Sequence, residues 1–353
     1  MKVIYIIGAG GRTGAMFCRE LRGAAKIVGV GMAREIEAIA AGKIKIRRGD
    51  DSAENFVVAM IAPENFATVI EKNPPDFIWL AVRNPVGEAV KFYYRHFQGK
   101  DKIPALILSQ NGLSAIGDAK AALAEVMGHD ANKVEIIRVS LINGIDFKTE
   151  VAAATKAMAS QSGTSVIGYK LPIKLGFGAE KKSDCVDELA KIFKASGFKA
   201  QRFSGRAVLD MENSKLFVNL IGMASATNGL SVNAVLRDKI VFEEVILKEE
   251  IAALKEFVLV VKKSGHGFLD DFCGYPIAML AKMVLLPAGL LLPFRFIFEK
   301  IVNKGRNRTK NTSEIDYYNG EVVRMGKRFG VATPVNENII AKAKKINRER
   351  GCG

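Results

Sequence analysis

The sequence predicts an α/β fold in which a doubly wound parallel sheet is followed by a mainly helical domain. Three observations support this prediction. Apolar runs alternate with helix-like segments over residues 1–140, and these runs lack the polar alternation of a half-buried strand. Helical periodicity dominates after Gly205, and 353 residues suit two domains of ordinary size. We therefore expect domains at residues 1–205 and 206–353.

The first domain is predicted from strands and helices that alternate along the chain. Continuous apolar runs imply strands buried on both faces, which is typical of a parallel sheet between two layers of helices. The predicted strands are Val3 to Ile7, Lys26 to Gly31, Phe77 to Val82 and Ala105 to Ser109, and the first predicted helices are Thr13 to Arg22 and Arg34 to Ala41.

The pattern changes after about residue 134. Strand-like segments at Val134 to Val139 and Thr164 to Tyr169 precede a well-delimited helix, Asp184 to Ala195, for which Ser183 is a suitable N-cap and Gly197 a suitable terminator. Two long helices are then predicted in the second domain, over Ala207 to Ala226 and Phe242 to Lys263.

Charge and cysteine usage restrict the class of partner. The net charge of +15 favours anionic partners, but the chain has no helix-turn-helix signal and no aromatic RNA-binding signature, so we expect no nucleic-acid partner. Four well-separated cysteines and three histidines without ligand spacing argue against a disulfide framework and against a metal site. A reducing cytoplasm is the expected location.

One apolar stretch, Met283 to Phe294, needs a separate explanation. It is interrupted by Pro287, Gly289 and Pro293 and is shorter than the roughly 20 residues that span a bilayer, so no transmembrane segment is predicted. The simplest interpretation is a buried loop or short helices over the core. The alternatives are a segment that lies on a membrane surface or one that covers a contact between subunits.

A glycine-rich loop, Gly8-Ala9-Gly10-Gly11-Arg12-Thr13-Gly14, joins the first predicted strand to the first helix. Thr13 occupies the third glycine position of a strict GxGxxG motif, so the spacing is the related Gly-x-x-Gly-x-x-Gly. Glycines at this turn allow backbone N–H groups to approach a pyrophosphate at a helix N-terminus. We expect a dinucleotide to be bound by Gly8, Gly10, Gly11, Arg12 and Gly14, the alternative being a purely structural turn.

The residues after the second strand favour NADPH over NADH. An NAD site usually has a carboxylate there, whereas Met32, Ala33 and Arg34 follow this strand. The Arg34 guanidinium suits a 2′-phosphate, and Arg83 after a later strand is positioned to add a second positive charge. The alternative is that Arg34 is an ordinary solvated surface residue.

Polar residues at three further places are candidates for substrate chemistry. Asn111, in an Asn-Gly turn after a buried strand, is suited to bind the nicotinamide ribose or substrate, and equally to form a plain turn. Lys215 and Asn219 lie one helical turn apart, so the lysine is placed to donate a proton to a developing alkoxide while the asparagine fixes geometry. An exposed lysine beside an incidental asparagine is the alternative.

The run Ser313-Glu314-Ile315-Asp316-Tyr317-Tyr318-Asn319-Gly320 adds a carboxylate to this set. Ser313 is suited to cap a helix that continues through Val323 and Met325, in which Glu314 is a favourable first-turn anion. Glu314 is also able to bind a substrate hydroxyl.

With these motifs, the chain resembles the ketopantoate reductase family over nearly its whole length. The resemblance rests on the glycine loop, Arg34, the Asn111-Gly112 turn, the Lys215 and Asn219 pair and, most specifically, the SEIDYYNG run with its downstream GVATPVN. It implies a Rossmann-like N-terminal domain and a helical C-terminal domain often used for dimerisation, as in 6-phosphogluconate-dehydrogenase-like folds, with a cleft for NADPH and 2-dehydropantoate.

The resemblance also implies roles for individual residues. Lys215 is the expected general acid, Asn219 and Asn111 orient the substrate, and Glu314 binds its hydroxyl. The implied activity is reduction of 2-dehydropantoate to pantoate in pantothenate biosynthesis, by a homodimer. The chain departs from the family at Met223, where an asparagine is usual, and at residues 302–310. Alternatives are therefore another 2-oxo acid, an opine-type imine, or a nucleotide-binding or membrane-surface regulator without turnover.

Overall fold

The computed structural model describes residues 1–150, 164–228, 242–303 and 312–349. The strands in these ranges are β1 (Val3–Ile7), β2 (Lys26–Val30), β3 (Ile44–Arg48), β4 (Glu54–Asn55), β5 (Met60–Ile61), β6 (Phe77–Leu80), β7 (Ala105–Leu108), β8 (Ile136–Leu141), β9 (Ile145–Glu150), β10 (Thr164–Tyr169), β11 (Lys174–Ala179) and β12 (Lys199–Ser204).

The α-helices in the same ranges are α1 (Arg12–Leu21), α2 (Ala33–Ala40), α3 (Phe66–Lys72), α4 (Gly87–Tyr94), α5 (Ser114–Met127), α6 (Asp184–Ala195), α7 (Arg206–Leu220), α8 (Met223–Asn228), α9 (Glu244–Lys263), α10 (Ile277–Met283), α11 (Ala288–Leu291), α12 (Arg295–Asn303), α13 (Asn319–Phe329) and α14 (Pro334–Glu349). None of these helices combines the length and the hydropathy needed to cross a membrane.

The chain divides into two compact units. The first comprises Met1–Gln110 and Ala115–Val208, and the second comprises Asn111–Ser114 and Leu209–Gly353. The sequence predicted one division, between residues 205 and 206, and did not predict that the short segment 111–114 groups with the second unit. That grouping depends on side-chain contacts with residues about two hundred positions later, which local patterns do not reveal.

The first unit is built on a sheet with strand order β12-β11-β8-β7-β6-β1-β2-β5. Its neighbouring strands are parallel except for the antiparallel pair β8 and β11. The predicted doubly wound, Rossmann-like fold is confirmed. The continuous apolar runs are explained by burial on both faces: in β1, Ile4 and Ile6 enter one apolar cluster, whereas Tyr5 and Ile7 enter another.

A second, smaller sheet with order β4-β3-β10-β9 was not predicted. β3 pairs with β10, more than a hundred residues later in the chain, and its polar alternation differs from the runs of the main sheet. The Glu20 carboxylate joins this sheet to α1, because it accepts hydrogen bonds from Arg48 Nε and from the Tyr169 hydroxyl, both at 2.7 Å.

Local signals predicted α6 correctly. The helix spans Asp184–Ala195, and the Ser183 side chain accepts a hydrogen bond from the Val186 N–H at 3.3 Å. Gly197 follows the helix with φ of +74°, a left-handed conformation that favours glycine.

The prediction of one helix over residues 207–226 is wrong. α7 ends at Leu220 and α8 begins at Met223, with Gly222 between them at φ of +91°. The buried Glu250 carboxylate of α9 accepts hydrogen bonds from the Gly222 N–H at 2.7 Å and the Ala224 N–H at 3.1 Å. A carboxylate from a neighbouring helix therefore stabilises the first turn of α8, which the sequence of the segment itself does not show.

Candidate functional site

The glycine loop, residues 8–14, lies at the carboxyl ends of β1 and β2 in the first unit. The Gly8 N–H donates to the Val30 carbonyl at 2.9 Å, and the Gly11 N–H donates to the Gly8 carbonyl at 3.0 Å. Gly8 has φ of +83°, a conformation that side chains rarely adopt. These bonds hold the loop directly before α1.

Gly14 is required by close packing within this loop. A Cβ at this position would lie 2.2 Å from the Gly8 carbonyl oxygen and 2.9 Å from the Ala9 Cα. The first turn of α1 therefore contacts the backbone of the preceding strand end without an intervening side chain.

The N-terminus of α1 is suited to a phosphate group. Arg12 is the first residue of the helix, the N-cap Gly11 has no capping side chain, and the first turn contains no acidic residue. The first-turn N–H groups therefore present partial positive charge, which stabilises an anion. The loop fits a dinucleotide with Gly8, Gly10, Gly11, Arg12 and Gly14 as the binding residues, whose roles remain predictions.

A carboxylate that the sequence pattern did not reveal lies beside the glycine loop. Glu35 accepts a hydrogen bond from the Met32 N–H at 2.9 Å. A Cβ added at Gly10 would lie 2.7 Å from the Glu35 Cβ, and one added at Gly31 would lie 2.7 Å from Glu35 Oε2. The first turn of α2 thus returns a carboxylate to the end of β2, the place where carboxylates bind ribose hydroxyls in dinucleotide-binding folds.

Arg34 and Arg83 are both exposed in the first unit. Arg34 is next to Glu35 at the start of α2, and Arg83 follows β6. Their predicted contact with a 2′-phosphate remains a prediction.

In the second unit, Asn111 lies in a turn that requires its neighbouring glycine. Gly112 has φ of +93°, and a Cβ there would lie 3.0 Å from Glu321 Oε1 and 3.1 Å from the Tyr317 carbonyl oxygen. Glu321 also accepts a hydrogen bond from the Ser114 N–H at 2.9 Å, at the start of α5. These contacts fix the position of Asn111.

Four side chains from three distant chain segments form a hydrogen-bonded network, which we call the polar network: Asn111, Asn219, Glu314 and Tyr318. Asn219 Nδ2 donates to Asn111 Oδ1 at 3.1 Å, and Asn111 Nδ2 donates to the Tyr318 hydroxyl at 3.1 Å and to Glu314 Oε2 at 3.4 Å. The Tyr318 hydroxyl donates to Glu314 Oε2 at 2.6 Å. The structure thus brings together three residues that the sequence predicted separately.

The Glu314 carboxylate sets the direction of every bond in the polar network. An ionised carboxylate only accepts hydrogen bonds, so Tyr318 donates to it and accepts from Asn111 Nδ2. Asn111 then presents its carbonyl oxygen to Asn219. The amide of Asn219 is thereby oriented with Nδ2 toward Asn111 and Oδ1 away from it.

Lys215 lies one turn before Asn219 on α7. Its side chain is half-buried, whereas the intervening Leu216 and Phe217 are buried in the core. A spacing of four places Lys215 and Asn219 on the same helix face. A half-buried lysine on the helix face that carries Asn219 is chemically suited to donate a proton to a bound carbonyl oxygen.

Tyr318 is the residue of the polar network that the sequence analysis did not select. Its spacing of four from Glu314 was an available signal. The predicted helix from Ser313 through Met325 is wrong, because a 3-10 helix over Thr312–Tyr317 ends before α13 begins at Asn319. Tyr318 is the N-cap of α13, where the chain leaves helical geometry (φ −115°, ψ −91°).

The structure describes Met223 and part of the other segment that departs from the family pattern. Met223 is fully buried at the start of α8, after the break at Gly222 that follows α7. Val302 and Asn303 end α12, and residues 304–311 lie outside the described part of the chain.

The C-terminal segment matches a known family model. Residues 307–347 match the family model "Ketopantoate reductase PanE/ApbA C terminal". The matched segment contains Glu314 and Tyr318 of the polar network. The resemblance to the ketopantoate reductases, a family of oxidoreductases, is thereby confirmed. No curated protein sequence matches the chain.

Solved structures agree with this family in fold. The chain is 17% identical to a PanE/ApbA family ketopantoate reductase from Ralstonia eutropha JMP134, with a TM-score of 0.69 and coverage of 99% of this chain and 100% of that one. It is 18% identical to 2-dehydropantoate 2-reductase from Methylococcus capsulatus, with a TM-score of 0.64 and coverage of 99% and 97%.

A third similar structure has a different activity. It is the ternary structure of D-mandelate dehydrogenase with NADH and anilino(oxo)acetate, 17% identical, with a TM-score of 0.62 and coverage of 98% of this chain and 99% of that one. Identities at this level show a shared fold, a Rossmann-like sheet with a helical C-terminal region, and leave cofactor and substrate to be argued from the residues.

Proposed function

We propose that this protein is an NADPH-dependent reductase that converts 2-dehydropantoate to pantoate in pantothenate biosynthesis. The observation that carries the proposal is the polar network, which joins Asn111, Asn219 and Glu314, with the half-buried Lys215 one helical turn before Asn219 on α7. The glycine loop of the first unit, which fits a dinucleotide, and the family match of residues 307–347 support it.

Each side chain then has a defined task. A bound reduced nicotinamide supplies the hydride that the carbonyl carbon of the 2-oxo acid receives. Lys215 donates a proton to the carbonyl oxygen, so the product is a secondary alcohol and no charge is left on oxygen. Asn111 and Asn219 orient the substrate, and Glu314 accepts a hydrogen bond from the substrate hydroxyl.

Purified protein with a panel of 2-oxo acids tests this assignment. We expect NADPH oxidation with 2-dehydropantoate, and a fall in kcat of about 10²-fold or more in Lys215→Ala, with dinucleotide affinity unchanged. Lys255→Ala is the matched control, because Lys255 is an exposed helical lysine of the same unit. Tight dinucleotide binding without turnover on any substrate would contradict the proposal and favour a regulator.

The identity of the cofactor has a second candidate. Arg34 favours NADPH, whereas the Glu35 carboxylate at the end of β2 favours NADH, because it is placed to bind ribose hydroxyls and repels a 2′-phosphate. If NADPH is the cofactor, Arg34→Ala raises its KM and leaves the KM of NADH unchanged. If NADH is the cofactor, Glu35→Gln raises the KM of NADH and lowers that of NADPH.

The substrate also has a second candidate. Met223 is buried at the start of α8, so the asparagine usual at this position in the family has no counterpart beside the polar network. This difference favours another 2-oxo acid or an opine-type imine. Turnover with other members of the panel, and none with 2-dehydropantoate, would establish this second function.

We further propose that the enzyme works in the cytoplasm as a homodimer. Cys18, Cys185 and Cys273 are free thiols in the described part of the chain, which fits a reducing compartment. Sedimentation equilibrium of the purified protein tests the dimer, and fractionation of cells tests the location.

A further inference from the structure

Exposed apolar side chains are concentrated in one short part of the second unit. Among the described residues, thirteen large apolar side chains are exposed, and six of them lie within residues 279–297. Their exposed fractions range from 46% to 68%. We call them the 279–297 surface; they are Met279, Leu286, Leu290, Phe294, Phe296 and Ile297. Such concentration on a protein surface usually marks a site of association.

The helical run over residues 288–303 carries both packed and exposed apolar side chains. Leu291, Phe298 and Val302 pack into an apolar cluster with residues of α9 and with Phe242, which precedes that helix. Leu290, Phe294 and Ile297, with helical spacings of four and three, are exposed instead. A helix that is apolar all round is normally buried. The packed side chains thus anchor the run to the unit, and the exposed ones are left without apolar neighbours in the described clusters.

The charge of the described residues at this surface favours an anionic partner. Residues 279–303 contain three basic residues, Lys282, Arg295 and Lys300, and one acidic residue, Glu299. The Glu299 carboxylate accepts a hydrogen bond from the Phe242 N–H at 3.1 Å, so it is engaged within the unit. The Arg295 guanidinium lies 4.7 Å from the centre of the Phe296 ring, which places a fixed cation beside an exposed aromatic side chain.

We propose that the 279–297 surface docks on an anionic lipid membrane. Apolar side chains that enter the acyl boundary, with basic residues at the level of the headgroups, are the chemistry by which interfacial helices bind membranes. A second copy of this chain is a poorer partner for this surface, because a two-fold contact here would bring Lys282, Arg295 and Lys300 of both copies together. The short helices make this attachment peripheral.

Vesicle co-sedimentation of the full chain tests the proposal. We expect binding to vesicles of phosphatidylcholine mixed with phosphatidylglycerol and none to vesicles of phosphatidylcholine alone. The double variant Phe296→Ser, Ile297→Ser is expected to bind about tenfold more weakly, because two exposed side chains no longer enter the bilayer. Lys300→Glu is expected to weaken binding by about fivefold or more.

Matched controls separate this surface from the general charge of the protein. Val245→Ser with Leu259→Ser removes two other exposed apolar side chains of the same unit, and Lys345→Glu reverses another exposed lysine. The controls should bind like the wild type. The proposal is overturned if the wild type does not bind anionic vesicles, if the controls lose as much binding as the test variants, or if a lipid-free dimer dissociates in Phe296→Ser, Ile297→Ser.

Discussion

The side-chain amide of Asn219 donates a hydrogen bond to that of Asn111 at 3.1 Å, although the two residues belong to chain segments more than a hundred residues apart. Asn111 in turn donates to Tyr318 and Glu314. The Asn111 amide is oriented by the Glu314 carboxylate, and its oxygen in turn orients Asn219 on the helix that carries Lys215. The donor and acceptor ends of Asn111 are therefore not interchangeable.

Asn111→Asp is expected to reduce kcat/KM by about 10- to 100-fold, because it replaces the amide that donates to Tyr318 and Glu314 with a carboxylate oxygen. Steady-state kinetics measure this loss. Asn65→Asp, the same change at an exposed position of the first unit, is the control. Equal activity in both variants would show that the polar network has no part in the reaction.

Tyr318→Phe removes the hydroxyl that bridges Asn111 and Glu314 and leaves the ring in place. We expect kcat to fall by about tenfold with little change in unfolding midpoint, since each of the two hydrogen bonds that are lost contributes only roughly 1 kcal/mol. Tyr317→Phe, one residue earlier, lies outside the polar network and should retain kcat. A loss of kcat in Tyr317→Phe equal to that in Tyr318→Phe would count against the bridging role.

Gly14→Ala is expected to destabilise the first unit by about 1–3 kcal/mol and to weaken dinucleotide binding, because the new Cβ meets the Gly8 carbonyl oxygen at 2.2 Å. Urea unfolding followed by the fluorescence of the single, buried Trp79 measures the first effect. A Cβ at Gly23 meets no atom within 4 Å, so Gly23→Ala should change stability by less than about 0.5 kcal/mol. Full dinucleotide affinity in Gly14→Ala would contradict the packing argument.

The first unit should lose stability in acid through Asp76. Burial raises the pKa of Asp76, but hydrogen bonds from Lys102 and from the Val3 N–H outweigh it and hold the pKa below its ordinary value. A depressed carboxylate pKa stabilises the fold above the unfolded value, about 3.9, and this contribution disappears as pH falls through the lower folded value.

Asp76→Asn should therefore lower the free energy of unfolding by about 1–2 kcal/mol near pH 7 and by less near pH 3. Urea titrations at the two pH values, followed by Trp79 fluorescence, provide the comparison. Asp101→Asn alters an exposed carboxylate and should show no such difference. A constant deficit at both pH values would exclude the titration of Asp76 as its cause.

Prediction from sequence succeeded where the determining contacts are local. Short stretches of sequence predict the apolar strands β1, β2, β6 and β7 and the caps of α6. The predicted bounds agree with the structure to within two residues. It failed where a distant part of the chain decides the outcome. The break before α8 depends on Glu250, and the second sheet depends on β3 meeting β10.

The candidate site shows the same division. Lys215 and Asn219 were found together because they are neighbours on one helix. Tyr318 belongs to the polar network because Asn111, about two hundred residues away, donates a hydrogen bond to it. Glu35 lies beside the glycine loop because the chain turns back toward Gly10 after β2. The spacing of four between Glu314 and Tyr318 is a local signal, but the contacts with Asn111 and Gly10 have none in the residues immediately around Tyr318 and Glu35.

The grouping of Asn111–Ser114 with Leu209–Gly353 limits how this protein can be dissected. A C-terminal fragment starting at Leu209 would lack the acceptor for Asn219 and the backbone group that Glu321 holds. During synthesis, residues 111–114 are made well before Tyr318 and Glu321, so their hydrogen bonds form only after most of the chain has been synthesised. Because the second unit is made of two separate chain segments, no single continuous fragment contains that unit alone.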